Sequence, residues 1–555
     1  MSTERYGIGV DFGTEAGRAV VVRVSDGAEL GSAVHQYADG VIDEHLPGSH
    51  KPLPLQWALQ NPDDYVAVFR HAVPQALKKS GVAAEDVIGI GIDFTACTML
   101  PTRSDGVPLC RLPEWRDNPH AWVKLWKHHA AQPEADRINE VAREMGEPWL
   151  IRYGGKISSE WFFSKTLQIL DEAPEVYDAA DRLIEAADWV VWQLCGVETR
   201  NSCAAGYKAM YQDSRFPDEE YFARLHPRLR DVVKSKMKAE VSPLGGCAGV
   251  LTREAADWVG LQPGIAVAVG NVDAHVTVPA AQVINPGTMV MIMGTSTCHM
   301  LMDAELHDVP GMCGVVRDGI VPGLYGYEAG QSGVGDIFAW FIERAVPPDY
   351  HALAEGAGTD LHSFLEAQAA KQAPGENGLL ALDWWNGNRS VLVDADLGGL
   401  LLGTTLSTRA PDIYRALIEA TAYGTRLIIE TLENNGVRVN DLVAAGGLPE
   451  KNQLIMQIYA DVTGRDLRVI GSNQGPALGS AMHAAVAAGA YEDIRAAARK
   501  MGKLRDTAYK PDPAHRAVYD NLYAEYVVLH DYFGRGGNDV MKRLLAISSE
   551  ARSNA

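Results

Sequence analysis

The chain has 555 residues, of which 47% are hydrophobic and 22% charged, a composition typical of folded globular proteins rather than disordered or fibrous ones. Lysine and arginine total 50 and aspartate and glutamate total 71, so the formal net charge is −21. A surface this acidic repels phosphate backbones and anionic lipids, and we expect neither a nucleic-acid partner nor a membrane partner. At roughly 150 residues per domain, the length predicts two to four domains.

The cysteines and the N-terminal residues predict a cytoplasmic protein. Seven cysteines stand at irregular, wide spacings without a C-x-x-C pair, which favours reduced thiols over a disulfide framework or a zinc knuckle. Residues 1–24 lack the charged and then apolar pattern of a signal peptide, and no apolar run reaches the roughly 18 residues of a membrane span.

Strands alternate with helices in the predicted element order. The N-terminus is predicted to form a hairpin, with strands at residues 6–11 and 18–24, a turn at 12–17 and a further turn at 26–27. Buried strands are also expected at residues 87–94, 265–270, 288–293 and 442–445, and helices at 63–79, 413–432 and 452–463. This order indicates an α/β architecture.

Two stretches about half a chain apart resemble each other. Residues 7–14 align with residues 288–295, and each stretch is an apolar, strand-like run that ends in Gly-Thr. A chance match in a glycine-rich chain is the alternative. Because the match falls near the midpoint, we interpret it as two similar domains facing a cleft, covering residues 1–283 and 284–555.

The two Gly-Thr pairs are candidate phosphate-binding turns. Gly13 permits close backbone approach, the amides and the hydroxyl of Thr14 can hold phosphate oxygens, and Asp11 could hold a hydrated divalent metal ion. A plain hairpin turn is the alternative, but the second copy at Gly294-Thr295 favours two phosphate-binding turns.

Other common nucleotide and metal motifs are absent. A Walker A loop is excluded because Leu150 stands at its first glycine position and Ile157 follows Gly155-Lys156. The G-x-G runs at residues 7–9 and 89–91 continue into Phe rather than a third glycine, which argues against a Rossmann site. The histidines at positions 120, 128 and 129 lack partners at zinc-ligand spacing.

Two further strand ends carry candidate binding or catalytic residues. Gly446 and Gly447 follow an apolar run and precede a predicted helix, so that backbone could approach a flat nucleoside. Asp273 follows the predicted strand at 265–270, where open α/β sheets place ligands, and its carboxylate could accept a proton. A strand-to-helix turn without ligand and a helix N-cap are the respective alternatives.

Two charged residues lie in largely uncharged segments. Glu328 and Lys208 would each need a partner if buried. An exposed or ion-paired surface position is the alternative for both. The tryptophan-rich segments at residues 115–126 and 382–389 could stack on a sugar, although clustered tryptophan is more often core.

Taken in order, these motifs resemble those of the FGGY carbohydrate kinases. The resemblance rests on residues 11–14, Gly270 with Asp273, Gly294-Thr295 and Gly446-Gly447, and it extends from about Tyr6 to Leu544. Within that family, the blocks at residues 13–18, 93–98, 152–161 and 384–390 are similar to those of bacterial kinases that act on L-ribulose.

The resemblance implies two ribonuclease-H-like domains of the actin, Hsp70 and sugar-kinase type, with the sugar mainly on the N-terminal and ATP mainly on the C-terminal domain. It implies that Asp273 is the base for the attacking sugar hydroxyl and that Asp11 helps to place Mg²⁺. The implied contacts are Gly13, Thr14, Gly294 and Thr295 for the phosphates, Gly446, Gly447 and Asn452 for adenosine, and Ala96, Lys208, Asp273 and Glu328 for the sugar. Many family members have a hydroxyl residue where this chain has Glu15, so we exclude Glu15 as a phosphate ligand.

The activity so implied is phosphorylation of L-ribulose to L-ribulose 5-phosphate with ATP, in L-arabinose breakdown. Another member's substrate, D-ribulose or a pentitol, is the alternative. A nucleotide-switched binding protein like Hsp70 or actin is an alternative of another class, in which Lys208 and Glu328 would have no role. The tail at residues 529–536 either packs back on the first domain or forms a contact between two copies in a homodimer.

Overall fold

The computed structural model describes residues 4–237 and 240–553, and the chain divides into two compact units. Unit 1 comprises the chain up to Ile284 together with Val315–Gly326 and Gln474–Lys503. Unit 2 comprises Asn285–Gly314, Tyr327–Asn473 and the chain from Leu504 onward. Both units are thus assembled from separated segments of the chain.

The strands are numbered in chain order. They are β1 (Tyr6–Phe12), β2 (Ala16–Arg23), β3 (Glu29–Gln36), β4 (Leu59–Gln60), β5 (Val87–Phe94), β6 (Met99–Thr102), β7 (Val123–Lys124), β8 (Arg182–Glu185), β9 (Arg200–Asn201), β10 (Val241–Ser242), β11 (Cys247–Val250), β12 (Ala266–Ala268), β13 (Asn271–Val272), β14 (Thr288–Met293), β15 (Thr297–Asp303), β16 (Gly314–Arg317), β17 (Tyr325–Gln331), β18 (Leu380–Leu382), β19 (Leu400–Leu402), β20 (Asp441–Ala445), β21 (Leu467–Ile470) and β22 (Leu504–Tyr509).

The α-helices are numbered in the same way. They are α1 (Pro62–Ser80), α2 (Gln132–Met145), α3 (Phe162–Glu172), α4 (Pro174–Ala179), α5 (Ala186–Cys195), α6 (Ser202–Lys208), α7 (Glu219–Leu225), α8 (Arg253–Val259), α9 (Asp273–Ala280), α10 (Gly335–Arg344), α11 (Asp349–Gly356), α12 (Leu361–Ala369), α13 (Ala410–Asn434), α14 (Gly447–Lys451), α15 (Gln453–Thr463), α16 (Gly475–Ala487), α17 (Ile494–Met501), α18 (Pro513–Gly534) and α19 (Val540–Ser553).

The central sheet of unit 1 has the strand order β11-β12-β5-β1-β2-β3. β1 pairs antiparallel with β2 on one side and parallel with β5 on the other. The predicted N-terminal hairpin is confirmed, but its turn is shorter than predicted, because Phe12 and Gly17 pair with each other in the ladder. A 3.0 Å hydrogen bond from the N–H of Gly13 to the carbonyl of Ala16 closes the short turn, which lets the two strands pair as far as these residues.

Helix α16 packs directly on the glycines of β1 and β5. A Cβ on Gly89 would lie 2.9 Å from the carbonyl oxygen of Ala484, and one on Gly9 would overlap the carbonyl oxygen of Ala477. Successive side chains of a strand point to opposite faces, so Asp11 and Asp93 share the glycine face and are directed to the side of α16. The other face carries an aromatic and aliphatic core that contains Phe12 and Phe94.

The predicted strand at residues 265–270 is shorter than expected. β12 covers Ala266–Ala268, and the chain then passes close to α5 at Gly270, where a Cβ would lie 3.1 Å from the carbonyl oxygen of Ala187. The strand resumes as β13, which also pairs parallel with β5. This interruption carries the chain along β5 and places residue 273 at the end of that strand.

Unit 2 repeats the central arrangement of unit 1. Its sheet has the order β16-β17-β15-β14-β20-β21-β22, in which β14 pairs antiparallel with β15 and parallel with β20. The strands predicted at residues 87–94 and 288–293 are observed with those bounds, as β5 and β14. The predicted α/β class with two sheet-containing domains is confirmed.

Further strands form separate, smaller sheets. In unit 1, β4, β7, β6 and β8 form a further sheet against a second hydrophobic core. The tryptophan-rich segments contribute largely to cores, since the side chains of Trp122 and Trp384 are buried.

The tail helices α18 and α19 belong to unit 2. Within the described ranges, no helix combines the length and the apolar character needed to cross a bilayer.

Candidate active site

Two carboxylates lie side by side at one edge of the unit 1 sheet. β1 and β5 have nearly the same sequence, G-I-G-V-D-F and G-I-G-I-D-F, and their parallel register places Asp11 opposite Asp93. Asp11 was predicted as a site residue, whereas Asp93 was missed. The repeated hexapeptide is the signal that could have identified it.

Asp273 joins this pair from a third segment. In β13, Asn271 pairs with Asp93 and Val272 with Phe94, so the next residue, Asp273, lies just beyond the end of β5. Asp273 begins α9, and its Oδ1 accepts a 2.7 Å hydrogen bond from the backbone N–H of Ala274. The structure therefore brings the predicted residues Asp11 and Asp273 together around Asp93.

Burial and mutual repulsion govern the charges of these groups. Burial raises the pKa of Asp11, and the guanidinium of Arg18, 3.2 Å away, opposes that shift. Burial and the negative charges of Asp11 and Asp273 raise the pKa of Asp93 well above its usual range. The Oδ1 of Asp93 has no hydrogen-bond donor, and its Oδ2 accepts a hydrogen bond from Ser480. The interaction between the two carboxyl groups lowers the pKa of Asp11 and raises that of Asp93, so a proton shared by the pair favours Asp93.

Three side chains donate hydrogen bonds to the predicted phosphate turn at Gly13-Thr14. Tyr37 donates its hydroxyl hydrogen to the carbonyl of Gly13 at 3.0 Å, and Gln60 donates to the carbonyl of Thr14 at 2.7 Å. The indole Nε1 of Trp126 donates to the Thr14 hydroxyl at 3.0 Å. That hydroxyl therefore keeps its own hydrogen for a further acceptor, such as a phosphate oxygen.

Lys208 and Ala96, two of the predicted sugar contacts, both lie in unit 1. Lys208 ends α6, which Asn201 caps by accepting from the N–H of Ala204, and its Nζ lies 5.4 Å from the ring centre of Trp161. Cys97 is the neighbour of Ala96. Burial raises the pKa of the Cys97 thiol, and the positive charge of Lys208 partly offsets that rise. Lys208 is therefore buried beside the loop that carries Ala96.

Glu328, the remaining predicted sugar contact, lies in unit 2. It is buried on β17, and its backbone carbonyl accepts a 2.7 Å hydrogen bond from the N–H of Cys313. The carbonyl bond fixes the backbone of β17 at this position.

Unit 2 brings the other Gly-Thr turn and the double glycine together. β14 and β20 are parallel neighbours, so Gly294-Thr295 and Gly446-Gly447 follow them at the same edge of the sheet. Gly446 adopts φ 95° and ψ −170°, a conformation that is essentially restricted to glycine, and a Cβ there would lie 2.5 Å from the carbonyl oxygen of Met293. The exposed turn backbones can approach a ligand closely at this edge.

Asn452 has a structural contact at this edge. Its side-chain oxygen accepts a 2.9 Å hydrogen bond from the N–H of Ile455 and so caps α15. The predicted adenosine contact at Asn452 stays a prediction, as do the other site assignments.

Family models match most of the chain. The N-terminal domain of the FGGY family of carbohydrate kinases matches residues 6–278, and the C-terminal domain of the same family matches residues 289–488.

Curated relatives named ribulokinase are similar over nearly the full length. The relative from Halalkalibacterium halodurans is 56% identical over 552 residues, covering 99% of this chain and 98% of its own. The one from Mycolicibacterium smegmatis is 56% identical over 548 residues, covering 99% and 97%.

Solved structures show the same fold. A xylulose kinase from Rhodospirillum rubrum superposes with a TM-score of 0.75 at 23% identity, covering 95% of this chain and 98% of its own. A ligand-bound xylulose kinase from Lactobacillus acidophilus superposes with a TM-score of 0.78 at 17% identity, covering 96% and 99%. The likeness therefore includes both units.

Proposed function

Because the chain belongs to the FGGY family of carbohydrate kinases, we propose that it transfers the γ-phosphoryl group of ATP to L-ribulose, giving L-ribulose 5-phosphate and ADP, in L-arabinose breakdown. The observation that carries this choice of substrate is the name ribulokinase on relatives that are 56% identical over 99% of the chain. The L configuration, the cytoplasmic location and a homodimeric assembly are parts of the proposal.

In the proposed reaction, the 5-hydroxyl oxygen of the sugar attacks the γ-phosphorus. A new oxygen–phosphorus bond forms, the bond from the γ-phosphorus to the bridging oxygen breaks, and ADP leaves with that electron pair. Asp273 takes the hydroxyl proton. Its position at the start of α9, beside the end of β5, supports this role, because the Ala274 N–H holds its carboxylate where open α/β sheets place their ligands.

The residues around Asp11 fit a magnesium ion. Mg²⁺ in kinases is held by one or two carboxylates together with phosphate oxygens and water. Asp11 supplies a buried carboxylate that Arg18 holds by a 3.2 Å hydrogen bond, and within the described residues no group of three or more His, Cys, Asp or Glu side chains forms a complete metal cage. When bound, the ion would neutralise charge on the phosphates. We assign Asp11 to hold it.

The other proposed contacts divide between the units. In unit 1, Gly13 and Thr14 would bind phosphate oxygens, and Ala96 and Lys208 the sugar. In unit 2, the proposed phosphate contacts are Gly294 and Thr295, the adenosine contacts Gly446, Gly447 and Asn452, and the sugar contact Glu328.

A substrate panel read by coupled ADP release tests the function. We expect the highest kcat/KM for L-ribulose among ketopentoses and pentitols, and slow ATP hydrolysis without sugar, since phosphoryl transfer depends on positioning of the acceptor. A higher kcat/KM for D-ribulose or a pentitol would assign another substrate within the family. Sugar-independent ATP hydrolysis as fast as the sugar-dependent reaction would instead favour a nucleotide-switched binding protein.

A further inference from the structure

Lys165 is a fully buried lysine with a defined set of hydrogen bonds. It lies on α3 with 0% of its surface exposed, although lysine is almost never fully buried unless it is paired. Its Nζ donates to the backbone carbonyl of Cys97 at 2.6 Å and to that of Leu125 at 2.7 Å. These acceptors lie 68 and 40 residues away along the chain, so one ammonium group joins three segments of unit 1.

The first acceptor belongs to the loop of Ala96. Cys97 has φ 58°, a left-handed conformation that is uncommon for a residue with a side chain. The hydroxyls of Thr95 and Thr98 are 3.0 Å apart and bridge the loop internally. The bond from Lys165 fixes the Cys97 carbonyl and hence the peptide that follows it. It thereby holds the backbone next to Ala96 in this conformation.

The second acceptor leads to the phosphate turn. Leu125 immediately precedes Trp126, whose indole donates to the Thr14 hydroxyl. The Leu125 carbonyl accepts from the N–H of His128 as well as from Lys165. These bonds fix the backbone from which the indole reaches Thr14.

We propose that Lys165 is a positioning residue that sets two parts of the active site at once, the backbone beside Ala96 and the contact between Trp126 and Thr14. This inference rests on the proposed function, which makes Ala96 a sugar contact and Thr14 a phosphate contact. Without the ammonium group, two buried carbonyls lose their charged donor, and both segments gain freedom that binding of each substrate must then remove.

The test compares three variants of the full-length enzyme. Lys165→Met keeps the stem and removes the donor, and we expect it to raise the KM for the sugar and the KM for ATP, each by at least about tenfold, with a smaller change in kcat. Trp126→Phe removes the indole donor to Thr14 and should raise the KM for ATP alone. Lys124→Met is the matched control, because Lys124 is also 0% exposed but its Nζ has no hydrogen-bond partner and lies over the ring of Trp57. It should leave both KM values unchanged.

A second substitution of Lys165 keeps the test valid if Lys165→Met does not fold. Lys165→Gln keeps an N–H donor on a shorter stem, and we expect it to raise both KM values by at least about threefold. A rise for only one substrate, or for neither, in a folded Lys165 variant overturns the proposal. So does failure of both variants to fold, which would assign Lys165 to stability alone. The wild-type substrate panel is measured first and fixes the sugar used here, so a wrong substrate assignment is recognised separately.

Discussion

Ser480 donates a 2.6 Å hydrogen bond to Oδ2 of Asp93, although the two residues are 387 positions apart in the chain. Both are buried, and Ser480 lies on α16, the helix that packs on the glycines of β1 and β5. The bond ties a segment from the C-terminal half of the chain to the carboxyl group beside Asp11. Unit 1 therefore depends on residues beyond position 470 for the geometry of its carboxylates.

Removal of the Ser480 hydroxyl should destabilise unit 1. Ser480→Ala leaves a buried oxygen of Asp93 without its donor, which typically costs about 1–3 kcal/mol of unfolding free energy. Urea unfolding followed by tryptophan fluorescence measures the loss. In an Asp93→Ala background the same substitution should cost much less, since the acceptor is already gone. Equal costs in the two backgrounds would show that the hydrogen bond contributes nothing.

Several central strands of both sheets could be predicted because their signal is local. Runs of apolar residues identify β1, β5 and β14 without any knowledge of their neighbours, and in β1 and β5 the run alternates with glycine. The shortening of the strand at residues 265–270 could not be predicted, since it depends on the close approach of Gly270 to Ala187 of helix α5.

Within the site, the role of Asp93 could not be predicted for the same reason, because it depends on contacts between distant parts of the chain. Its hexapeptide is visible in the sequence, but its role beside Asp11 follows from the parallel register of β1 and β5. The packing of α16, which supplies Ser480, joins residues from opposite ends of the chain. Such non-local packing leaves no periodic or spacing signal in a single sequence.

Gly446 should not tolerate a side chain. Gly446→Ala forces alanine into the glycine-only region and places its Cβ 2.5 Å from the Met293 carbonyl oxygen. We expect a loss of about 1–3 kcal/mol in unfolding free energy and a raised KM for ATP. Thermal melts and coupled assays measure the two effects.

Gly447 supplies the matched control for stability. A Cβ at Gly447 would meet no atom within 4 Å, so Gly447→Ala should unfold close to the wild type. If both variants lose the same stability, the strain at Gly446 is not the cause.

Asp383 should make the stability of unit 2 pH-dependent. Burial raises the pKa of this carboxyl to about 6, against hydrogen bonds from Gln331 and Tyr526 that lower it. Between about pH 4 and about pH 6 the folded state therefore holds a proton that the unfolded state has lost, and the free energy of unfolding falls as the pH rises. The full decrease is on the order of 3 kcal/mol and is complete above about pH 6.

Asp383→Asn removes this titration. The variant should show a flatter dependence of unfolding free energy on pH between about pH 4 and about pH 6, measured by urea unfolding at several pH values. Asp506→Asn, at an exposed carboxylate of β22 in the same unit, serves as the control and should keep the wild-type slope. An unchanged slope in Asp383→Asn would mean that Asp383 does not titrate in this range.

Asp273→Asn should separate chemistry from binding. The amide keeps the shape of the side chain, and its oxygen can still accept from the Ala274 N–H, but it cannot take the proton of the sugar hydroxyl. We expect turnover to fall by roughly 10²–10⁴-fold, the range for loss of a positioned general base. Affinity for ATP and the melting temperature should stay near wild type, because the amide keeps the shape of the side chain and its hydrogen bond to the backbone is retained. Asp257→Asn, at an exposed position on α8, should retain full turnover. If Asp273→Asn retains more than about a tenth of wild-type turnover, the proton goes to another group.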